Sequence, residues 1–237
     1  YLGYRIVRIS VRPEAQGMGI GSYFLRKIEE EARESKLDWV GSGFGATEEL
    51  LNFWMKNGYL PIHISPSRNP VSGEYSVIVL KGLREDIHSS ILFFNKKFRE
   101  RLINSLYDTY RDLETEVVYK LLQDPLCSEY IGETQVSFVL DSIDRDRLNL
   151  YLKKYMTYEV VNDIIINIAK TFLLNYSCLM KLEKKYCLLL IAKVLQGRTW
   201  ENVSQELKIP LSKATDLLRQ VIGEISSIML KETYRSK

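Results

Sequence analysis

Residues 4–22 read YRIVRISVRPEAQGMGIGS, a strand pattern that is followed by a proline and then by three closely spaced glycines. Apolar and polar side chains alternate over residues 4–11, as in a strand with one buried face, and Pro13 ends this pattern. From residue 19 to about residue 35 the apolar side chains recur at helical spacing. The glycines therefore lie at the start of a helix, where free N–H groups attract anions. The sequence predicts an anion-binding loop at residues 16–22.

The composition is that of a soluble globular protein. The chain has 237 residues, of which 46% are hydrophobic and 27% charged, so one or two domains are expected. We find no secretory signal and no apolar run of the ~20 residues that span a bilayer. The chain begins with Tyr1 inside a strand pattern, which suggests a piece of a longer protein. Three cysteines without a CxxC pair and only two histidines predict reduced thiols at Cys127, Cys178 and Cys187, a cytoplasmic location, no metal site and no membrane partner.

The charge is unevenly distributed along the chain. Residues 145–237 carry 16 Lys and Arg against 9 Asp and Glu, a net charge of +7, whereas residues 84–144 have a net charge of −5. A basic last third is compatible with a nucleic-acid partner. A lysine-rich helical domain without such a partner would show the same excess, so charge alone leaves both interpretations open.

The first 83 residues alternate between strand and helix patterns in the order β-α-β-α-β-β. The helix patterns cover residues 19–35 and 45–57, and the strand patterns cover residues 4–11, 38–44, 59–64 and 75–81. On the exposed side of the first helix, opposite charges four residues apart predict the ion pairs Arg26–Glu30, Lys27–Glu31 and Glu29–Arg33.

The pattern of the sequence changes near residues 82–86. From residue 84 onward glycine and proline are rare, and the apolar residues recur at helical spacing. Helices are predicted near residues 84–105, 107–123, 145–156, 158–175, 179–196, 200–207 and 212–232. The predicted fold class is therefore α/β (α+β), with a sheet-and-helix domain in residues 1–83 and an all-α tail in residues 84–237.

A helix-turn-helix is predicted at residues 198–232, with Thr199 and Ser212 as N-caps of its two helices. If the apolar side chains of these helices face inward, then Arg198, Lys213 and Arg219 face outward and are candidate RNA contacts. The major groove of A-form RNA is too deep and narrow for a recognition helix, so we expect phosphate contacts rather than base reading. A plain two-helix packing unit is the alternative.

The glycine loop has a specific pattern, Gln-x-x-Gly-x-Gly, formed by Gln16, Gly19 and Gly21. A Rossmann fingerprint needs GxGxxG, and a Walker loop needs Gly-Lys-Ser/Thr. Between a strand and a helix, this pattern instead resembles the acetyl-CoA loop of the GNAT-type N-acetyltransferases. Residues 54–59, WMKNGY, resemble the second motif of that family, Tyr-x-Lys-x-Gly-Phe, except that Trp54 replaces the tyrosine that often protonates the leaving thiolate. An indole N–H does not serve as a general acid near neutral pH, so Trp54 either packs against the cofactor or is a core aromatic.

A narrower resemblance covers nearly all of residues 1–83. The stretches RIVRISVRPEAQGMGIGS, GSGFGATEELLNFWMKNGY and NPVSGEYSVIVLK are similar to the RNA cytidine acetyltransferases, the TmcA-type enzymes that make N4-acetylcytidine in tRNA and their eukaryotic relatives that also act on ribosomal RNA. The resemblance implies part of a GNAT fold, acetyl-CoA as cofactor, tRNA or another structured RNA as partner, a helical RNA-binding tail, and an ATP-dependent helicase-like module outside this chain. The cofactor contacts that it implies are Ile9, Ser10, Val11, Gln16, Gly17, Met18, Gly19, Ile20, Gly21, Ser22, Glu49 and Trp54.

Acetylation of a cytosine amine needs close placement of the base, a donor for the oxyanion and a late proton acceptor. A backbone N–H near residues 10–12 is expected to hold the thioester carbonyl oxygen. Glu49 and Glu74 are the candidate catalytic residues, as proton acceptors. Glu49 could instead stabilise its helix N-terminus, and Glu74 could be a turn residue. His63 is a third candidate, although a lone histidine in a strand is more often structural.

Arg68 and Asn69, in the loop SPSRNP, are further candidate RNA contacts, and a solvated hairpin loop is the alternative. Two other functions stay open: acetyl transfer to a protein or small-molecule amine, and RNA binding by a scaffold without catalysis. The sequence does not indicate an oligomeric state.

Overall fold

The computed structural model describes residues 1–123, 139–176 and 182–235. The chain forms two compact units, Tyr1–Arg101 and Leu102–Lys237. The predicted mixed α/β class is confirmed, since a four-stranded sheet with helices is followed by a helical region. The division between these units falls inside a helix, after residue 101. The domain boundary near residues 82–86 stays a prediction.

The first unit is built on a mixed sheet with the strand order β1-β2-β4-β3. β1 pairs with β2 in parallel, and the other neighbouring strands are antiparallel. The strands are β1 (Gly3–Ile6), β2 (Trp39–Gly45), β3 (Leu60–Arg68) and β4 (Tyr75–Gly82), and the helices between them are α1 (Ile20–Glu34) and α2 (Glu48–Lys56). This order places β1 and the loop that follows it at one edge of the sheet.

Two apolar clusters cover the sheet of the first unit. Leu25 of α1 and Trp54 of α2 pack in one cluster with Val79 of β4. Helix α3 (Glu85–Ser105) contributes Ile91 to the other cluster, against which Leu80 packs. Because consecutive residues of a strand point to opposite faces, Val79 and Leu80 place α1 and α2 on one face of the sheet and the start of α3 on the other.

The strand predicted over residues 4–11 is shorter in the structure and ends at Ile6. Ile6 faces Ser42 in the last pair of the β1–β2 ladder, and the buried Ser42 hydroxyl donates to the Ile6 carbonyl oxygen at 2.9 Å. Ile9 still packs against the first apolar cluster, which explains why the alternating pattern continues. Periodicity reports which side chains are buried and does not report whether the backbone is paired.

In the described residues of the second unit, the regular secondary structure is helical. Its helices after α3 are α4 (Thr115–Leu122), α5 (Ser142–Leu152), α6 (Asn162–Thr171), α7 (Lys184–Leu189), α8 (Trp200–Leu207) and α9 (Leu211–Arg235), and π-helical turns at Phe172–Tyr176 and Leu190–Leu195 extend α6 and α7. The helix predicted at residues 107–123 begins only at Thr115, because turns occupy the preceding residues, with Tyr110 N–H bonded to the Ser105 oxygen at 3.1 Å. Ser212, a predicted N-cap, lies inside α9.

One of the three cysteines lies in the described part of the chain. Cys187 is a buried free thiol, and burial raises its pKa to about 11, so it is protonated and unreactive near neutral pH. The predicted reduced thiols at Cys127 and Cys178, and residues 179–181 of a predicted helix, lie outside the described residues. Among the described helices, none has the length and apolar character to cross a membrane.

Candidate functional site

The glycine loop adopts a backbone shape that side chains would strain. Gly17 and Gly19 have φ angles of 77° and 81°, in the left-handed region that glycine adopts without cost. A β-carbon at either position would meet no atom within 4 Å, whereas one at Gly21 would lie 3.0 Å from the Phe53 ring. Two glycines therefore shape the turn, and the third lets α1 approach α2 closely.

The first backbone N–H groups of α1 have no hydrogen-bond acceptor among the described residues. Gly19 is the N-cap, no side chain caps the helix, and the first turn contains no acidic residue. The first backbone donor of this turn with a described partner is Tyr23, whose N–H bonds to the Gly19 oxygen at 2.9 Å. The N–H groups of residues 20–22 have no acceptor among the described residues, as is usual for an uncapped helix end. Free donors and the helix dipole together favour an anion here.

The chain segment between β1 and the loop has no strand partner among the described residues. Residues 7–12 follow the last β1–β2 pair and belong to no ladder. β2 continues to Gly45 but pairs there only with β4, so its other edge is free over residues 43–45. We call these two segments the splayed edges. Gln16 fastens the loop to one of them, because its side-chain amide donates to the Val11 oxygen at 3.0 Å.

These two features fit the acetyl-CoA that the family resemblance implies. The pantetheine arm carries amides, which can pair with backbone that has no strand partner, and residues 9–11 lie outside the described ladders. The pyrophosphate requires several N–H donors and no opposing carboxylate, and residues 19–22 provide them. Both features lie at the same end of β1. The predicted cofactor roles of residues 9–11 and 16–22 stay predictions that this geometry supports.

Trp54 occupies the core rather than the surface of the site. It is 2% exposed and stacks on Phe44 with ring centroids 5.6 Å apart and an interplanar angle of 13°. A contact with acetyl-CoA therefore stays a prediction that its burial does not favour. Tyr59, five residues further on, does not replace the missing acid. It is fully buried, and burial, together with the Glu29 carboxylate, raises its pKa well above the ordinary value.

The three candidate proton acceptors lie in different settings. The Glu74 carboxylate occupies the space that a β-carbon at position 45 would fill, so it lies against Gly45, the last residue of β2 and of its splayed edge. Glu49 is exposed in the first turn of α2, whose N-cap Thr47 accepts from Leu50 N–H at 3.3 Å. His63 is exposed on β3. Of the three candidates, Glu74 is the one with a described contact to a splayed edge, at Gly45.

A shallow cleft of about 580 Å³ opens beside the glycine loop. We call it the Arg26–Lys56 cleft, after the two cationic side chains that line it together with Met18, Gly19, Ile20, Ser22 and Tyr23. Neither cation is a predicted site residue, although Lys56 is the lysine of the WMKNGY motif. Arg26 was predicted to pair with Glu30, but Lys27 takes that partner at 2.5 Å.

The other two predicted ion pairs of α1 are also wrong. Lys27 pairs with Glu30 rather than with Glu31, and Glu29 bonds to Lys81 of β4 at 2.8 Å rather than to Arg33. Helical spacing shows which charges can meet within a helix, but it gives no information on partners from other elements.

Arg68 and Asn69 hold the β3–β4 turn. Arg68 donates to the Gly73 oxygen at 2.8 Å and lies over the Tyr75 ring at 4.8 Å. The Asn69 side-chain oxygen accepts from the Val71 N–H at 2.8 Å. Their predicted RNA contacts stay predictions, and both side chains already have a role in the turn.

The expectation that Arg198, Lys213 and Arg219 face outward is wrong for the two arginines. The Arg198 and Arg219 side chains are 17% and 16% exposed. Arg198 donates to the Leu113 oxygen at 2.7 Å and also pairs with Glu206. Arg219 donates to the Tyr151 oxygen at 2.9 Å. Lys213 is exposed and has no side-chain partner among the described residues.

Two family models match the chain. GNAT acetyltransferase 2 matches residues 24–84, and a family described as possible tRNA binding domain matches residues 91–236. The glycine loop immediately precedes the first of these matches.

Curated relatives are similar over most of the chain. A tRNA(Met) cytidine acetyltransferase TmcA from Thermofilum pendens is 40% identical over 92% of this chain and 26% of the relative. Proteins of the same name from Thermococcus sp. and Methanopyrus kandleri are 43% and 38% identical, over 86% and 98% of this chain and 24% and 26% of the relatives. The chain thus spans about a quarter of the length of these relatives. Because the model described as possible tRNA binding domain matches more than half of the chain, the chain belongs to that family, and its first part is similar to GNAT acetyltransferase 2 and to the TmcA proteins.

Proposed function

We propose that the protein carrying this chain transfers the acetyl group of acetyl-CoA to the N4 amine of a cytidine in tRNA. The observation that carries this proposal is the position of the uncapped α1 N-terminus next to the splayed edges, which suits a pyrophosphate followed by an amide-bearing arm. The names of the relatives and the match to a possible tRNA binding domain support an RNA acceptor.

Each part of the glycine-loop region has a distinct binding role in this proposal. The N–H groups of residues 19–22 bind the pyrophosphate, where the helix dipole adds to their attraction. The backbone of Ile9, Ser10 and Val11 pairs with the pantetheine amides and orients the arm, while the Val11 oxygen keeps its bond from Gln16. A backbone N–H near residues 10–12 donates to the carbonyl oxygen that becomes negatively charged. Acetyl-CoA itself supplies an acetyl group activated as a thioester.

The reaction requires one proton acceptor and one proton donor. A bond forms between N4 and the acetyl carbon, the carbon–sulfur bond breaks, N4 loses a proton and the thiolate gains one. The cytosine amine is uncharged, so the proton leaves late, and a carboxylate can accept it. We assign this role to Glu74, because Gly45, the last residue of one splayed edge, leaves room for its carboxylate. Glu49 remains the alternative acceptor. Trp54 and Tyr59 are buried, so we assign protonation of the leaving thiolate to water.

The helical unit binds the tRNA in this proposal. Lys213 supplies a phosphate contact, because it is exposed and unpaired among the described residues. The ATP dependence and the cytoplasmic location that follow from the family resemblance are proposed with it.

The test is formation of N4-acetylcytidine. We would incubate the intact protein with tRNA, ATP and acetyl-CoA, digest the tRNA and measure the modified nucleoside by mass spectrometry. Gly19→Glu places a carboxylate where the pyrophosphate would bind and should abolish the product. Gly19→Ala is the matched control, because it adds the left-handed strain of about 1 kcal/mol without a charge, and it should retain part of the activity.

Two results would count against the proposal. If acetyl-CoA binds but no N4-acetylcytidine forms with any tRNA, the acceptor is a different amine. If acetyl-CoA does not bind to the wild-type protein, the chain is an RNA-binding scaffold without acetyl transfer.

A further inference from the structure

Two unpaired cations line the Arg26–Lys56 cleft. Both side chains are exposed, and neither has an ion-pair or hydrogen-bond partner among the described residues. The acidic residues of α1 nearest in sequence to Arg26 are already occupied, because Glu30 pairs with Lys27 at 2.5 Å and Glu29 pairs with Lys81 at 2.8 Å. Among the described residues, no acidic side chain lines the cleft, so an anion entering it would meet no negatively charged side chain.

The cations lie beside the glycine loop but not in it. Arg26 follows the first residue of α1 by six positions, about 9 Å along the helix axis. Long helical side chains point back toward the N-terminus, so the guanidinium of Arg26 is directed toward the loop. Lys56 ends α2 and reaches the same cleft from the other helix. The arrangement offers a second anion position, separate from the donors of residues 19–22.

We propose that Arg26 and Lys56 bind the phosphomonoester on the ribose of coenzyme A and thereby distinguish it from dephospho-CoA. This inference rests on the proposed function, because it places the pyrophosphate on the glycine loop. In coenzyme A the 5′ carbon of the ribose carries the pyrophosphate and the 3′ carbon carries the phosphomonoester. A nucleotide whose pyrophosphate is held by the loop therefore presents a second phosphate close by, and the adjacent cationic cleft can bind it. Arginine suits this role, since its planar fork donates two bonds to a phosphate.

The test compares the affinities of the intact protein that carries this chain for CoA and dephospho-CoA by isothermal titration calorimetry. The wild-type chain should bind CoA about 10-fold more tightly. Arg26→Gln and Lys56→Gln should each reduce this preference, and the double variant should bind both ligands with nearly equal affinity. The preference should also decrease at high salt, because the cleft is open to solvent.

Lys36→Gln is the matched control. It removes one positive charge from an exposed position beyond the other end of α1, about 15 Å from Arg26 along the axis, and it should leave the preference unchanged. A parallel titration with tRNA tests whether the two cations contact RNA instead.

The proposal is overturned by three outcomes, which also separate it from the proposed function. Equal binding of CoA and dephospho-CoA to the wild-type chain would overturn the subsite and leave acetyl-CoA binding intact. An unchanged preference in the double variant, with weakened tRNA binding, would assign the cations to RNA. Absence of binding to either ligand would overturn both the subsite and the proposed cofactor.

Discussion

The Glu74 carboxylate lies where a β-carbon at position 45 would be, which makes Gly45→Ala a test of its catalytic position. The added methyl group would displace the end of a flexible side chain, so we expect a change of less than about 1 kcal/mol in the free energy of unfolding. If Glu74 accepts the proton, its displacement should lower the rate of N4-acetylcytidine formation about as much as Glu74→Gln, roughly 100-fold. Urea unfolding and single-turnover rates on tRNA measure the two effects.

Glu49→Gln is the control for this experiment, because Glu49 is also an acidic candidate but lies in the exposed first turn of α2. It should affect the rate less than Glu74→Gln. The opposite ranking, or full activity in Gly45→Ala, would remove Glu74 as the proton acceptor and favour Glu49.

Local features of the residues were predictable from the sequence, and distant partners were not. The glycine loop and the Thr47 and Thr199 caps depend on neighbouring residues, so the sequence pattern contains the necessary information. Arg219 instead bonds to Tyr151, 68 positions away, and no periodicity contains that contact. The same reason explains why Arg26 and Lys56 were not predicted as site residues. They line one cleft because two helices pack together.

At the scale of the elements, two of the three glycines of β2 differ in what a β-carbon would meet. A β-carbon at Gly41 would overlap the Leu80 side chain and lie 2.8 Å from the Val79 oxygen, whereas one at Gly43 would have its nearest neighbour at 3.7 Å. Gly41→Ala should therefore destabilise the first unit by about 1–3 kcal/mol. Gly43→Ala should be neutral or slightly stabilising, because alanine restricts the unfolded chain more than glycine does.

Hydrogen exchange of the β2 and β4 amides measures this difference, because it reports on the sheet separately from the helical unit. Faster exchange in Gly41→Ala than in Gly43→Ala is the expected result. Equal protection in both variants would mean that β4 moves to accommodate the added methyl group and that the close pairing of β2 and β4 is not required.

The element order β-α-β-α-β-β was predictable because each element has its own period and its own stop signals. The end of β1 was not, since it depends on β2 diverging after Ser42. That divergence is also what exposes the backbone of residues 9–11, so the feature that periodicity missed is the one on which the proposed cofactor site depends.

At the scale of the whole molecule, the positive charge is concentrated in residues 145–237, with a net charge of +7, while the glycine loop and Glu74 lie in the first unit. Counterion release from RNA makes phosphate contacts strongly salt-dependent. If the helical unit binds tRNA, then tRNA affinity should decrease steeply with salt.

Lys213 and Arg219 should respond differently in such a salt series, although each is a basic residue of α9. Lys213→Gln removes an exposed, unpaired charge, so it should leave stability within about 0.5 kcal/mol and reduce the slope of log affinity against log salt by about 1. Arg219→Gln removes the bond to the Tyr151 oxygen at 2.9 Å and the pair with Asp216 at 2.6 Å. It should lower the free energy of unfolding by about 1–2 kcal/mol and leave the slope unchanged. Fluorescence anisotropy with labelled tRNA measures the slopes, and thermal unfolding measures the stabilities. An unchanged slope in Lys213→Gln would exclude this face of α9 from tRNA binding. Removal of an exposed lysine that binds a phosphate would have to reduce the slope.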